Sequence, residues 1–512
     1  MPKFVYKGGE RKQIVAAGLA GLIALAGIGV AATLTACEVA SCGTRTVGRS
    51  PNKDAATRAP ASTVPNVDLP ARAPGEPEMR VRIFAAVDSL KVNATGGVLL
   101  GQGDPKGQTA LAPGAKTDRR GAAGGLSISL KAGQWIVTEG PAAGPAPATP
   151  AAFAYPAGAS LVLQPAGGPN RMLSVNAGLY GGSLRLTART DQRDGVFDVV
   201  EFVGVEAYLP GVVAKEMLAG WPLGAYQAQA VAARTYALQE RERSLAAGLP
   251  FDVESSDRDQ VYGGATTNAN AREAVGSTRG IVLMDGDRIL RAYFSSTCGG
   301  RTAAAKDTWP TGPGFEYNLA APIQEHQRDF ACSASPLFRW TVERPRTDLA
   351  QRIRLYGEKT QLAVRRLRDL HSIEVMASNT VGRPSVFKII EPGGAWYQLS
   401  GEQLRLACNT NASGAAVTSL PPGPTAPTIG FEADSGVPGA PPSLPDITRA
   451  TRVNSSDFIV TITGEKAVIS GRGFGHGVGL CQYCAKGFAE RGENWRTMIE
   501  RFYPGARIVS RY

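Results

Sequence analysis

A chain of 512 residues is long enough for two or three domains, and an apolar fraction of 43% excludes a wholly disordered polymer. Its 55 basic residues against 44 acidic ones give a formal charge of +11, which suits an anionic partner without naming one.

Lys3, Lys7, Arg11 and Lys12 precede an uncharged apolar run from Ile14 to Ala36, the pattern of an export signal rather than of a folded element. The run ends in Leu34-Thr35-Ala36-Cys37, which matches the lipobox of bacterial lipoproteins and makes Cys37 the expected lipidation site. A soluble secreted form and an uncleaved anchor are the alternatives, since the run is long enough to cross a bilayer. All three place the remaining chain in the cell envelope or beyond it. Nucleic acid is therefore not an expected partner, and anionic wall polymers or lipid headgroups offer the same electrostatic attraction. Residues 1–36 read as a lipoprotein signal peptide. Residues 37–78, rich in Pro, Ala, Ser, Thr and charge with no apolar period, read as a flexible tether.

From Met79 the pattern changes to short alternating runs: Met79, Val81 and Ile83, then Leu126, Ile128 and Leu130, then Leu184 and Leu186, separated by Gly and Pro clusters. Residues 79–198 are expected to form a β-rich accessory domain. Residues 199–512 mix helical and strand patterns, so the fold class is α+β. In this core Trp221-Pro222 marks a helix start, and Tyr226, Ala230, Ala233 and Ala237 follow at helical spacing. Strands are expected at Gly280 to Met284 and at Ile289 to Phe294. Leu349, Ile353 and Tyr356 share a helix face ahead of Arg365, Arg366 and Arg368, a solvated basic cluster. A Pro/Gly-rich stretch, residues 420–446, reads as a surface insert. The last helix has Asn494 as its cap, Trp495, Met498, Ile499 and Phe502 on one face, and Pro504-Gly505 as its stop.

Three stretches carry chemistry. In the first, VEAYLPGVVAKEMLAGWPLGAYQAQAVAARTYAL from Val205, a single acid, Glu216, sits among Val212, Val213, Met217, Leu218 and Trp221. Apolar neighbours that exclude water favour a protonated carboxyl, and hence a general acid; the alternative is a glutamate that caps or salt-bridges a core helix. Asp252, Glu254, Asp257 and Asp259 form a second acidic region, whose spacing singles out no partner for Glu216. The second stretch is AYFSSTCGGRT, from Ala292. In the third, GRGFGHGVGLCQYCA from Gly471, glycine at every second position leaves one face of an extended segment bare, so that a sugar chain or another backbone can approach it closely. His476 on the opposite face would meet substrate, steady Glu216, or make a structural hydrogen bond in a turn. Cys298, Cys332, Cys481 and Cys484 are expected to form disulfides in an exported chain, with a four-thiolate zinc site as the second reading.

These stretches, in this order, resemble the stage II sporulation protein D / amidase-enhancer (SpoIID/LytB) family, over roughly residues 79 to 512. The resemblance implies a SpoIID-like catalytic domain and a peptidoglycan lytic transglycosylase. Such an enzyme cleaves glycan strands, preferably stripped of stem peptides, to 1,6-anhydro ends in wall remodelling, septation or sporulation. Glu216 falls on the position of the family's proposed catalytic glutamate. One acid suffices if the C6 hydroxyl of N-acetylmuramic acid attacks its own anomeric carbon, because proximity replaces a second carboxylate. Arg234 and Gln482 are sugar-binding positions on the resemblance alone. No cofactor is required for this chemistry. Some relatives bind zinc through cysteine and histidine near the second stretch, but here Ser295 stands where a histidine is expected, and His326 is the nearest substitute. The family's amidase-enhancer branch implies the rival function, a non-catalytic peptidoglycan binder that stimulates an N-acetylmuramoyl-L-alanine amidase.

Overall fold

The computed structural model describes residues 67–412 and 444–512, apart from residues 95, 105–108, 113–114, 121–124, 141–151, 157, 168–170, 192–193 and 257–258. The signal run, Cys37, most of the tether and residues 420–443 of the expected insert lie outside the described residues.

Residues 78–204, joined by the strand Val253–Glu254, form two sheets. A seven-stranded sheet runs in the order Val253–Glu254, Glu78–Val87, Phe197–Gly204, Ser183–Ala188, Leu161–Pro165, Val98–Gln102 and Asp118–Arg120. A six-stranded sheet runs Gly178–Tyr180, Leu173–Val175, Ser89–Asn93, Leu126–Lys131, Gln134–Glu139 and Ala152–Pro156. The period of two in the sequence is the cause: Leu126, Ile128 and Leu130 are buried while Ser127 and Lys131 are exposed. The sheets meet where Trp135 of one packs edge-on against Phe197 of the other, with ring centroids 5.1 Å apart, and the Trp135 indole N–H donates to the Ala159 carbonyl at 2.8 Å.

Two expected boundaries shift. The division at residue 198 cuts through the strand Phe197–Gly204, and one continuous core joins Trp135 and Phe197 of the sheets to Val213, Tyr226 and Phe488 of the helical part. The tether was expected to run to residue 78, yet Val67 and Glu76 are buried against the body. Glu76 accepts from the Glu206 amide at 3.2 Å and pairs with Arg279 at 2.5 Å.

That acid lies at the start of helix α1 (Val205–Glu216), which grows directly from the strand before it. A carboxylate there satisfies an otherwise open amide and opposes the helix dipole. Helix α2 (Leu223–Ala246) runs about 36 Å, with Ala225, Ala228, Ala230, Ala232, Ala233 and Ala237 all buried. These small side chains let α1, α3 (Ala269–Ser277), α7 (Gln482–Glu490) and α8 (Trp495–Phe502) pack closely around it. Asn494 caps α8 as expected, accepting from the Thr497 amide at 3.1 Å. The expected strand near Gly280 is Ile281–Asp285, which pairs with Arg507–Ser510. That at 289 to 294 is broken into Arg288–Ile289 and Phe294–Ser295.

Between the second and third stretches the chain builds a separate core, a feature not foreseen in the single domain expected over 199–512. After the short helix α4 (Ala305–Thr308) come α5 (Arg346–Thr360) and α6 (Gly401–Cys408). Two three-stranded sheets join them, one running Ser372–Ser378, Pro384–Ile390 and Trp396–Ser400, the other Trp340–Pro345, Lys466–Gly471 and Phe458–Thr463. Their core holds Leu349, Ile353, Phe387, Leu399, Leu404 and Ile469, with Phe387 stacked on Phe458 at 5.2 Å.

Arg234 is the buried fastener of the helical part. Its guanidinium donates to both Glu206 oxygens at 2.8 and 2.9 Å, to the carbonyls of Val275 and Ile281, and to Thr278, while Tyr512 also donates to Glu206 at 2.6 Å. One side chain thus ties α2 to α1, α3 and the strand at 281. Removing one partner of a buried pair strands the other charge. Arg234→Met is expected to cost about 3–5 kcal/mol, read from denaturant unfolding of the full chain, and adding Glu206→Leu should recover part of it. A neutral single substitution would show that the pair is dispensable.

Candidate active site

Glu216 is the last residue of α1. The helix ends there because Met217 turns extended, its amide still bonded to the Val213 carbonyl at 3.0 Å; α2 then starts at Leu223 with Pro222 ahead of it. Val212, Val213, Met217 and Trp221 are buried around the acid as the sequence suggested, whereas Leu218 is 55% exposed. The Gln482 side-chain amide donates to Glu216 Oε2 at 3.0 Å, and the Val261 amide also donates to the carboxyl. Burial raises the Glu216 pKa above 4.5, and the two donors oppose that rise without cancelling it. The acid is therefore biased toward its protonated form, with donors in place for the anion it becomes after giving up the proton. Trp221 packs edge-on against Tyr483 at 4.9 Å, and Val261 and Leu218 are exposed apolar side chains beside the acid in sequence or contact.

The residues that hold Glu216 come from far along the chain. Gln482 is the first residue of α7, 266 positions away. It was expected to bind sugar; the structure places its side-chain amide on the acid. Val261 was not foreseen at all, because a backbone amide leaves no trace in the residue types of a sequence.

The third stretch departs from the extended segment expected of it. Gly473, Gly475, Gly477 and Gly479 have φ of +80°, +93°, +79° and +67°, a left-handed conformation that glycine adopts without strain. The loop they form lies against the second stretch. Thr297 and Phe474 exchange backbone hydrogen bonds at 3.0 and 2.8 Å, and Phe294–Ser295 pairs with Leu480–Cys481 in parallel. Of the two partners foreseen for the bare glycine positions, another backbone is the one present.

His476 sits in that loop and does not reach Glu216 in any hydrogen bond of the structure. Its Nδ1 accepts from the Val478 amide at 3.1 Å, its ring packs edge-on against Trp309 at 4.9 Å, and Phe294 supplies a further backbone bond. Burial pushes its pKa down to about 4, so the ring is neutral. The structural hydrogen bond in a turn is what this placement fits. Arg234, expected to bind sugar, is 0% exposed and has its donors spent inside the core, which fits a structural role in place of that one.

The second acidic region is largely committed as well. Asp252 accepts from Arg80 Nε and Nη2 at 2.9 and 2.6 Å, and Glu254 pairs with Arg82. Asp259 accepts from the Glu254 amide at 2.8 Å and from Tyr236 at 3.3 Å, and burial pushes its pKa up to about 6. Asp257 lies outside the described residues.

Cys298, Cys332, Cys481 and Cys484 come together although they occupy three separate segments. All four are buried and unpaired, with their sulfurs within 4.8 Å of one another. Cys298 Sγ lies 3.7 Å from both Cys332 Sγ and Cys484 Sγ, well beyond the roughly 2.05 Å of a disulfide. The disulfides expected among them are not formed in the structure. A zinc–thiolate bond of about 2.3 Å gives a regular tetrahedron an S···S edge of about 3.8 Å, so the donor set fits such an ion. His326 stays apart from the cluster, its ring nitrogens 3.2 and 3.0 Å from the carbonyl oxygens of Gln324 and Arg501. Cys408 is buried in the separate core, and burial pushes its thiol up to about 11.

Residues 193–284, which hold α1, α2 and Glu216, match the family model described as stage II sporulation protein (SpoIID). The amidase enhancer of Bacillus subtilis (strain 168) is 26% identical over 314 residues, 59% of this chain and 40% of that protein. Stage II sporulation protein D of the same organism is 24% identical over 323 residues, 60% of this chain and 75% of its own length. An uncharacterised protein of Brachyspira hyodysenteriae is 26% identical over 337 residues, 66% of this chain and 74% of its own. Residues 193–284 are thus similar to the SpoIID domain, and the fold is α+β. The resemblance drawn from its three stretches, to stage II sporulation protein D and the amidase enhancer, is borne out. The match spans well under half of the amidase enhancer.

The raised pKa of Glu216 has a definite sign in stability. The folded chain keeps this proton over a range in which the unfolded chain has lost it, so the carboxyl favours folding most below pH 4.5 and progressively less as pH rises through its folded value. Glu216→Gln mimics the neutral form and removes that decline. The melting temperature of the variant minus that of the parent should be small below pH 4.5 and grow positive toward neutral pH. A difference independent of pH would mean that Glu216 is not buried in this way.

Proposed function

We propose that this chain acts on the cell wall as a lytic transglycosylase, cleaving peptidoglycan glycan strands between N-acetylmuramic acid and N-acetylglucosamine, preferably strands stripped of stem peptides. The observation that carries the reading is Glu216: a carboxyl raised by burial, held by Gln482 and the Val261 amide, in the segment that matches the SpoIID model. In this mechanism Glu216 gives its proton to the glycosidic oxygen as the bond from the anomeric carbon to that oxygen breaks. The C6 hydroxyl oxygen of the same muramic acid bonds to the anomeric carbon, and its proton passes to the Glu216 carboxylate, which restores the acid. The Gln482 amide stabilises the carboxylate between these two transfers. Asp252 and Glu254 are occupied by arginines, which suits a route needing no second carboxylate.

Lipidation at Cys37 would tether this activity to the envelope, and the charge of +11 would favour anionic wall polymers. Among the described residues no helix is long and apolar enough to cross a membrane. A second reading rests on the relative named amidase enhancer: the chain binds glycan without cleaving it and stimulates a wall amidase.

Full-length protein incubated with denuded glycan strands should release products ending in 1,6-anhydro-N-acetylmuramic acid, identified by mass spectrometry. Glu216→Gln should lower the rate by about 10²-fold or more, the usual contribution of a positioned acid–base group. Strands left intact by the parent protein, together with equal stimulation of an amidase by parent and variant, would replace cleavage with the binding function.

A further inference from the structure

Four sulfurs in a dry interior are an unstable arrangement without a ligand or a covalent bond, because thiols make weak hydrogen bonds and pack as small apolar groups. Here they converge from Cys298 in the second stretch, Cys332 in the following loop, and the pair Cys481 and Cys484 at the start of α7. The backbone around them is arranged as around anionic sulfur. Cys481 Sγ accepts from the amides of Cys298 at 3.2 Å and Cys484 at 3.4 Å, and Cys484 Sγ from that of Ala331 at 3.5 Å. A cation faces them too: the Arg328 guanidinium lies against Cys298, and its buried Nε and Nη2 have no oxygen partner.

We infer that Cys298, Cys332, Cys481 and Cys484 hold one zinc ion as four thiolates in a closed, structural site. The shape follows from the 3.7 Å spacings around Cys298, close to the edge of a zinc tetrathiolate tetrahedron. The charge follows from simple addition: four thiolates and a divalent ion leave a net −2, which the three amides and Arg328 offset. Each thiol gives up its proton to solvent as the ion enters, so binding weakens in acid. With four protein ligands and all of them buried, no coordination position is left for substrate, and the site is not part of the chemistry.

Its consequence is positional, and this part rests on the glycan-cleaving reading. Cys481 and Cys484 bracket Gln482 and Tyr483, the residues that touch Glu216 and Trp221. The ion would pin the first turn of α7 to the second stretch and so hold the Gln482 amide on the acid. The positioning residue is Gln482; the cysteines act through it.

The test reads metal first and leaves activity aside. Full-length protein purified without chelator is analysed for metals by mass spectrometry, and an organomercurial is titrated in to release the ion to a chromogenic indicator. About one zinc per chain, released in step with thiol modification, is expected. Cys298→Ser and Cys484→Ser should lose it, and Cys408→Ala should keep it. To separate metal loss from misfolding of a serine variant, cobalt-substituted parent protein is examined as well, and intense visible bands of a tetrahedral thiolate complex are expected. Hydrogen exchange in residues 480–486 should rise several-fold when the parent loses its metal, an effect independent of catalysis. Disulfides among these four cysteines in metal-free protein would overturn the site, iron in place of zinc would overturn the choice of ion, and unchanged exchange would overturn the clasp on α7.

Discussion

At Gly479 a β-carbon would stand 2.2 Å from the Tyr293 carbonyl oxygen, and at Gly473 one would stand 2.5 Å from that of Thr297. No side chain fits at either place. This backbone-on-backbone contact between residues 293–299 and 473–481 is what the candidate site depends on, because it sets where Leu480, Cys481 and Gln482 come to rest. Gln482 reaches Glu216 only because the chain preceding it is pressed against the second stretch. Loss of the contact would separate the acid from its donor and the cysteines from one another.

Charge is handled in two ways within the same core. Arg234 and Glu206, and Arg80 and Asp252, are buried as matched pairs. Among the described residues no ion pair joins Glu216 to a cation; the Gln482 and Val261 amides donate to it, and desolvation dominates its titration. The paired acids build the scaffold, and Glu216, met by neutral donors, is suited to moving a proton. Position along the chain does not reveal this difference, since Glu206 and Glu216 lie on the same helix.

The segment between Trp340 and Gly471 adds a second hydrophobic core without disturbing the first, because its two ends lie close together: Trp340 and Gly471 are paired neighbours in one sheet. A unit whose ends meet can be inserted between the second and third stretches while leaving their contact intact. The Trp340 indole even donates to the Gly473 carbonyl at 2.8 Å, which ties the inserted unit to the glycine loop.

Local pattern determined a good part of this protein. The period-two runs at 126–130 and 184–186 became strands, the alanine-rich stripe after Pro222 became α2, Asn494 capped α8, and three stretches in order identified the resemblance and Glu216. These signals were legible because each depends on neighbours within a turn or a strand. The inserted core, the pairing of Arg234 with Glu206, the neutral His476, the gathering of four cysteines and the hold of Gln482 and Val261 on the acid were decided by tertiary structure. Each of those depends on which distant groups share a desolvated volume, and the energy of a buried charge, amide or thiol is set by those neighbours rather than by its place along the chain.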